Sequence, residues 1–325
     1  MFSTEVLAID APQVARDIEQ AIRQQVQAFR RRGAVLGVSG GIDSAVTATL
    51  CARALGKDRV LALFLPERDS SGESEQFGRK LADGLGIASL TENIAGILAA
   101  AGCYERQIEA IRKVFPEYGE GYKNKIVLPS ILKNDRLNVS ELTIETPAGE
   151  QKTARLPLDA YLQLVAATNF KQRVRKMMEY YHADRLNYVV PATPNRLEYD
   201  QGFFVKQGDG AGDIKPIAHL YKSQVYALAE YLGVPEEIRR RQPTTDTFSL
   251  AQSQEEFYFA LPYDKMDLCL YGRNHGVPPA DVGAAIGLTA EQVERVYRDI
   301  DQKRRTTRYL HAKPVLAVPV PEIDV

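Results

Sequence analysis

Residues 35–50 read VLGVSGGIDSAVTATL, an apolar strand that breaks on Ser-Gly-Gly and passes straight into a helix. Few architectures accept that junction. A strand followed by a helix instead of a hairpin needs a crossover, which sets the next strand parallel to the first. The chain keeps to this rhythm. Strands are predicted at 34–39, 59–66 and 89–94, with helices at 42–55 and 73–85. The strands are rich in Val, Leu and Ile without polar alternation, as in a parallel sheet covered on both faces. An amphipathic helix at 14–32 precedes them, with Val14, Ile18, Ile22, Val26 and Phe29 at helical spacing. Arg30, Arg31 and Arg32 are expected at its C-terminus, where cations are favourable. A helical pattern at 158–182 feeds another strand at 188–192, and a helix at 222–232 stops at Gly233 and Pro235. These segments specify an α/β fold, a doubly wound parallel sheet with helices on both faces, as one domain spanning 1–325. The rhythm breaks at about 101–157, where two β-prone arms, 138–146 and 151–156, flank a Pro-Ala-Gly-Glu turn. An inserted hairpin outside the main sheet is expected there.

The junction also carries chemistry. At the C-terminal end of a parallel strand, the following helix points unpaired amides and the positive end of its dipole at the crevice, a setting for an anion. Gly40 and Gly41 let the backbone come close and take positive φ, while Ser39 and Ser44 add hydroxyls. The predicted ligand is a pyrophosphate. Asp43 would repel it, unless a hard divalent cation such as magnesium bridges carboxylate and phosphates. Neither GxxxxGK[ST] nor GxGxxG follows a strand in this chain.

Composition narrows the partners. Lysine and arginine total 41 against 42 acids, a formal net charge of -1, so no global field draws in nucleic acid or an anionic membrane. Residues 279–300 have the outline of a helix-turn-helix with Gly287 at the turn, yet carry Asp281, Glu291, Glu294 and Asp299 where a DNA reader brings bases. Helix packing is the expectation. Cys51, Cys103 and Cys269 stand far apart and outside any metal or disulfide spacing, and Cys51 is expected in the core. The four histidines, His182, His219, His275 and His311, are likewise scattered. The N-terminal stretch MFSTEVLAIDAPQ carries acids and lacks the apolar core of a signal peptide, and no apolar run reaches the roughly 20 residues of a membrane span. A cytoplasmic location without membrane attachment is expected.

The hexad SGGIDS (39–44) resembles the pyrophosphate loop of the N-type ATP pyrophosphatases, of the adenine nucleotide alpha hydrolase-like group. Further along, NFKQRVRKM (169–177), ATPNRLE (192–198), GFFVKQGDGAGDIKPI (202–217), LYKSQV (220–225) and QPTTD (242–246) follow the order of one branch. That branch is ammonia-dependent NAD synthetase. The resemblance spans about 15–310 and implies a Rossmann-like fold and ATP-dependent amidation of deamido-NAD through an acyl adenylate, with ammonia as nitrogen donor. It places ATP on Gly37, Val38, Ser39, Gly40, Gly41, Ile42, Asp43 and Ser44, and on Thr193, Lys222 and Thr244. Asp43 and Glu198 correspond to magnesium ligands. Deamido-NAD contacts fall on Arg173, Lys206, Asp213 and Lys303. No side chain acts as a nucleophile. The family is homodimeric, and free ammonia or a separate glutaminase would supply nitrogen, since nothing here resembles an appended glutaminase.

Departures from the family pattern leave a second reading open. Ala192 replaces a usual Gly, Gln172 a usual Ala, Val205 a usual Thr and Gln302 a usual His, all near the acid acceptor. An adenylating amide ligase acting on a different carboxylic acid would fit them. A nucleotide sensor without turnover is disfavoured by the presence of both Asp43 and Glu198.

Overall fold

The computed structural model describes residues 2–127, 140–243, 248–250, 252–253, 258–259 and 261–321. Strands β1 (Ala34–Gly37), β2 (Val60–Phe64) and β3 (Ala88–Thr91) form a parallel sheet in that order. Leu36 lies opposite Ala62, and Ala62 opposite Ser89. On the other side of β1 the predicted strand at 188–192 pairs only at single residues, Val189 with Ala34 and Pro191 with Ile214, both parallel. Pro191 has no N–H to donate, which limits the ladder. The chain therefore winds outward from β1 through β2 and β3, then returns to start again on the opposite side. Ligands bind at such a switch point in open α/β sheets.

Alternation along the strands sends side chains to two cores. Leu36, Ala62, Phe64 and Val189 pack on one face against α1 (Ala11–Ala28), α2 (Ile42–Leu55), α8 (Lys222–Tyr231) and α9 (Glu236–Arg240). Val35, Leu61, Leu63 and Val190 pack on the other, under α4 (Ala95–Ala100), α5 (Cys103–Arg112) and α6 (Leu158–Leu186). Helix α3 (Gly72–Leu85) links β2 to β3. Cys51 is fully buried, and burial pushes its thiol up to about 12, so it is an inert core residue.

Three expectations need correction. β3 is an outer strand with Ala88, Leu90 and Thr91 exposed, because nothing pairs beyond it among the described residues. Helix α1 ends at Ala28, and Arg30 takes φ 54°, so the arginines lie past the helix. Arg31 donates to Asn187 Oδ1 at 2.7 Å and the Arg32 amide to the Asn187 carbonyl at 2.8 Å, tying this connection to the end of α6. The predicted hairpin exists as β5 (Glu141–Glu145) and β6 (Gln151–Arg155), but β4 (Lys123–Val127) joins it to make a three-stranded antiparallel sheet. Asn138 and Val139, at the start of the first predicted arm, lie outside the described residues. Ile126, Leu142 and Ile144 pack this sheet on Ile111 of α5 and on Ala160 and Leu164 of α6.

A helical unit completes the chain: α7 (Arg196–Gln201), α10 (Tyr263–Asn274), α11 (Pro279–Ile286) and α12 (Ala290–His311). Val282, Ile286, Val293, Val296 and Ile300 turn inward within it. The helix-turn-helix outline is packing, as the acids suggested.

Candidate active site

The Ser-Gly-Gly junction lies at the end of β1 beside a crevice at the switch point, with the Ser39 amide donating to Ser44 Oγ at 3.3 Å and the Gly41 amide to Ser39 Oγ at 3.4 Å. Gly40 makes the turn. Its φ of +73° is left-handed, and a Cβ there would press on the Ser74 carbonyl of α3. Gly41 is the N-cap of α2 with extended backbone. The loop is self-tied, since Ser44 Oγ donates to the Gly41 carbonyl at 2.9 Å and lies 3.3 Å from Ser39 Oγ. The first amides of α2 have no carbonyl partner within the helix. Gly37, Val38, Ser39, Gly41, Ile42, Asp43 and Ser44 all line the crevice, together with Thr193, Glu198 and Lys222.

Two carboxylates and one ammonium meet there. The fully buried Lys222 pairs directly with Asp43 Oδ2, and Asn195 Nδ2 donates to Asp43 Oδ1 at 3.2 Å. Burial works against the Lys222 charge, yet Asp43 and Glu198 outweigh it and hold its pKa above the ordinary value. Glu198 is only 9% exposed. Burial first, and then the Asp43 charge, push its carboxyl up to about 8. A buried carboxylate this reluctant to ionise beside a second one is a setting that a divalent cation relieves. Asn195 and Glu198 form a capping box on α7, with Glu198 Oε2 accepting from the Asn195 amide at 3.1 Å. That box fixes the carboxylate at the crevice wall.

Residues 14–114 and 131–309 match the model of the NAD synthase family. A curated relative from Mesorhizobium japonicum, named NH(3)-dependent NAD(+) synthetase, is 61% identical over 318 residues, covering 98% of this chain and 100% of the relative. One of the same name from Rhizobium meliloti is 56% identical over 324 residues, covering 100% of this chain and 97% of the relative. The chain belongs to the NAD synthase family. Two solved structures share its fold. NMN synthetase from Francisella tularensis aligns with a TM-score of 0.64 at 23% identity, covering 95% of this chain and 99% of that one. An NH3-dependent NAD synthetase from Campylobacter jejuni gives 0.62 at 23%, covering 95% and 100%.

The other residues expected of an NAD synthase fall into two groups. Arg173, Lys206 and Asp213 are not among the residues that line the crevice; Lys206 and Asp213 flank in sequence the Gly208-Asp209-Gly210 loop, whose Asp209 does line it. Arg173 Nε donates to the Lys206 carbonyl at 3.3 Å, and Asp213 Oδ2 accepts the Val190 amide at 2.7 Å. Lys206 Nζ is turned to the Tyr309 carbonyl at 2.9 Å and lies over that ring. Lys303 is not brought to the crevice. It pairs with Asp299 at 2.8 Å and donates to the Tyr258 carbonyl at 2.7 Å. Thr244 lies outside the described residues.

Sequence reading singled out Gln172 and Arg173 on α6 but missed the contribution of Arg175, Lys176 and Glu179. Gln172, Arg175, Lys176 and Glu179 line the crevice with Asp209, Ser70, Ser71, Ser74 and Arg241. Lys176 Nζ pairs with Glu179 Oε2 at 2.7 Å, below Gly37. The available signal was spacing: 172/176 and 171/175/179 are i, i+4 rows of one helix face.

Proposed function

We propose that the chain is an ammonia-dependent ligase that converts deamido-NAD to NAD, consuming ATP and releasing AMP and pyrophosphate. The observation that carries this reading is the convergence on one crevice of the first turn of α2, which bears Asp43, with Glu198 and Lys222. The nicotinate carboxylate attacks the α-phosphorus of ATP, the bond to the bridging oxygen breaks, and pyrophosphate leaves with that electron pair. Ammonia then adds to the carbonyl of the acyl adenylate, loses a proton, and AMP departs. Both steps need charge neutralisation and alignment more than a protein nucleophile. The Gly40 and Gly41 backbone and the dipole of α2 receive the pyrophosphate. Lys222, released from Asp43, supplies a point charge to phosphate, and Thr193 adds a contact. Arg173, Lys206 and Asp213 hold the dinucleotide beside the crevice, with Lys206 leaving the Tyr309 carbonyl to do so.

Asp43 and Glu198 would hold magnesium. Their hard oxygens suit it, and no group of three or more His, Cys, Asp or Glu capable of holding a metal exists among the described residues, so phosphate oxygens and water would complete the shell. When bound, the ion would neutralise charge building on the departing pyrophosphate.

A homodimer and a cytoplasmic setting belong to the same reading. Leu158, Leu162, Met177 and Tyr181 form an exposed apolar row on α6, the kind of surface that marks a protein interface. No helix among the described residues is long and apolar enough to cross a membrane. The decisive assay combines ATP, magnesium, ammonium and deamido-NAD and detects NAD and AMP by mass. AMP formation only with another carboxylic acid would overturn the choice of acceptor.

A further inference from the structure

We propose that Lys171 is a positioning residue for the nucleotide-facing wall of the crevice. Lys171 sits on α6 and is fully buried, with Nζ 3.0 Å from Glu67 Oε1 and 2.6 Å from Asp69 Oδ2. Both carboxylates belong to the connection from β2 to α3, whose Leu65, Pro66, Ser70 and Ser71 line the crevice. Tyr104 on α5 closes the cluster, its hydroxyl donating to Glu67 Oε2 at 3.0 Å. The Arg68 guanidinium lies 3.9 Å over the Tyr104 ring. One turn along α6, Arg175 reaches the same connection, donating to the Leu65 carbonyl at 3.4 Å and to Ser70 Oγ at 3.5 Å. The turn is closed by Ser70, whose Oγ accepts the Glu67 amide at 3.0 Å.

A buried cluster of this kind is a poor device for stability, because desolvating three charges cancels much of their attraction. It is a good device for geometry, since a buried ammonium with two acceptors permits few arrangements of the loop that bears them. Tyr104 gives the 101–157 stretch a part in the site, as the helix it stands on braces the wall from behind. The wall adjoins the Ser-Gly-Gly loop, whereas Lys206 and Asp213 follow α7 in the chain, and Arg173, though on α6, is directed to the Lys206 carbonyl. Loss of the cluster should therefore fall on ATP and spare the acid.

This inference rests on the crevice being the ATP site. Lys171→Met and Tyr104→Phe enzymes are compared with wild type for KM and kcat on each substrate, alongside urea unfolding. Lys171→Met should raise KM for ATP about tenfold with KM for deamido-NAD unchanged within about twofold, and Tyr104→Phe should raise KM for ATP about threefold. Lys171→Arg, which keeps the charge, should recover part of the loss. An unchanged KM for ATP in Tyr104→Phe and in any folded Lys171 variant overturns the proposal. So does an equal rise in both KM values, the mark of a merely structural role. Should Lys171→Met fail to fold, Tyr104→Phe and Asp69→Asn decide. A wild-type enzyme inactive with ATP would sink the functional reading instead.

Discussion

Alanine at Gly40 separates what holds the loop from what the loop holds. Gly40 has φ +73° and backs onto the first turn of α3, where a Cβ would collide with the Ser74 carbonyl. Left-handed backbone costs an alanine about 1 kcal/mol. Shifting α3 or the loop to admit a methyl group adds about 1–3 kcal/mol, the usual cost of overpacking. The sum is about 2–4 kcal/mol, and with an m-value on the order of 3 kcal/mol/M in urea for a chain of this size the unfolding midpoint should fall by roughly 1 M. Gly41 is the control. Its backbone is extended, with φ -90° and ψ 159°, and a Cβ there meets only Ser39 Oγ at 3.4 Å. Gly41→Ala should therefore stay within about 1 kcal/mol of wild type in stability, while its methyl group occupies crevice space and weakens ATP binding. Circular dichroism against urea measures the first effect, and calorimetric titration with a non-hydrolysable ATP analogue the second. A Gly40→Ala midpoint within about 0.2 M of wild type would refute the loop geometry. Equal destabilisation by both substitutions would refute the division of labour between the two glycines.

Asp43→Asn and Glu198→Gln should each lower kcat about 100-fold or more, Glu198→Gln with a urea midpoint close to wild type and Asp43→Asn with a lowered one, because it takes the direct partner from buried Lys222; near-normal turnover in both removes the metal assignment. Leu158→Glu combined with Met177→Glu should convert a dimer to a monomer in sedimentation velocity, and a wild-type monomer at micromolar concentration would rule out the α6 interface. Burial raises the Asp267 carboxyl to about 6 against the pull of the Ser223 and Lys222 amides that it caps. Below the ordinary carboxylate range its contribution to stability is fully present, and it is lost as pH rises towards 6, because the folded protein binds the extra proton. Asp267→Asn should lack that loss, so the gap between wild-type and variant urea midpoints should change between pH 4 and 7; a constant gap refutes the raised value.

Legibility followed the range of the interactions. The strand, the Ser-Gly-Gly turn and α2 are contiguous, so one 16-residue window displayed sheet direction, dipole and carboxylate together. The two cores were legible because Val35 and Leu36, or Leu61 and Ala62, are apolar on both sides of the pleat. β4 was not, because Lys123, Asn124 and Lys125 show no apolar alternation, and its pairing with β5 depends on a partner far along the chain. The residue type of Glu198 does not by itself announce burial. Its spacing from Asn195 was nonetheless a capping-box signature, and that box is what brings it to the wall. Lys303 shows the reverse case, since a charge near the end of a helix can face a site or a neighbouring helix, and the Tyr258 carbonyl that claims it is distant in sequence.

Helix α6 accounts for most of what stayed hidden. Its 29 residues serve four surroundings: Ala160 and Leu164 face the inserted sheet, Val174 and Ala183 face the main sheet core, Leu158, Leu162, Met177 and Tyr181 face outward, and Gln172, Arg175 and Glu179 face the crevice, with Lys171 buried behind its wall. Apolar groups on opposite sides cancel any single amphipathic face, so periodicity predicts a helix but not its orientation. Arg173 falls on the outward side between Leu162 and Met177, two residues from Lys171 on the buried side. If that outward row is the subunit boundary, the acid's arginine stands beside it while the loop-holding lysine remains inside the protomer. Separating the subunits and breaking the Lys171 cluster would then damage different substrates, the first deamido-NAD and the second ATP. One rigid helix thus links the two binding regions without making them the same site.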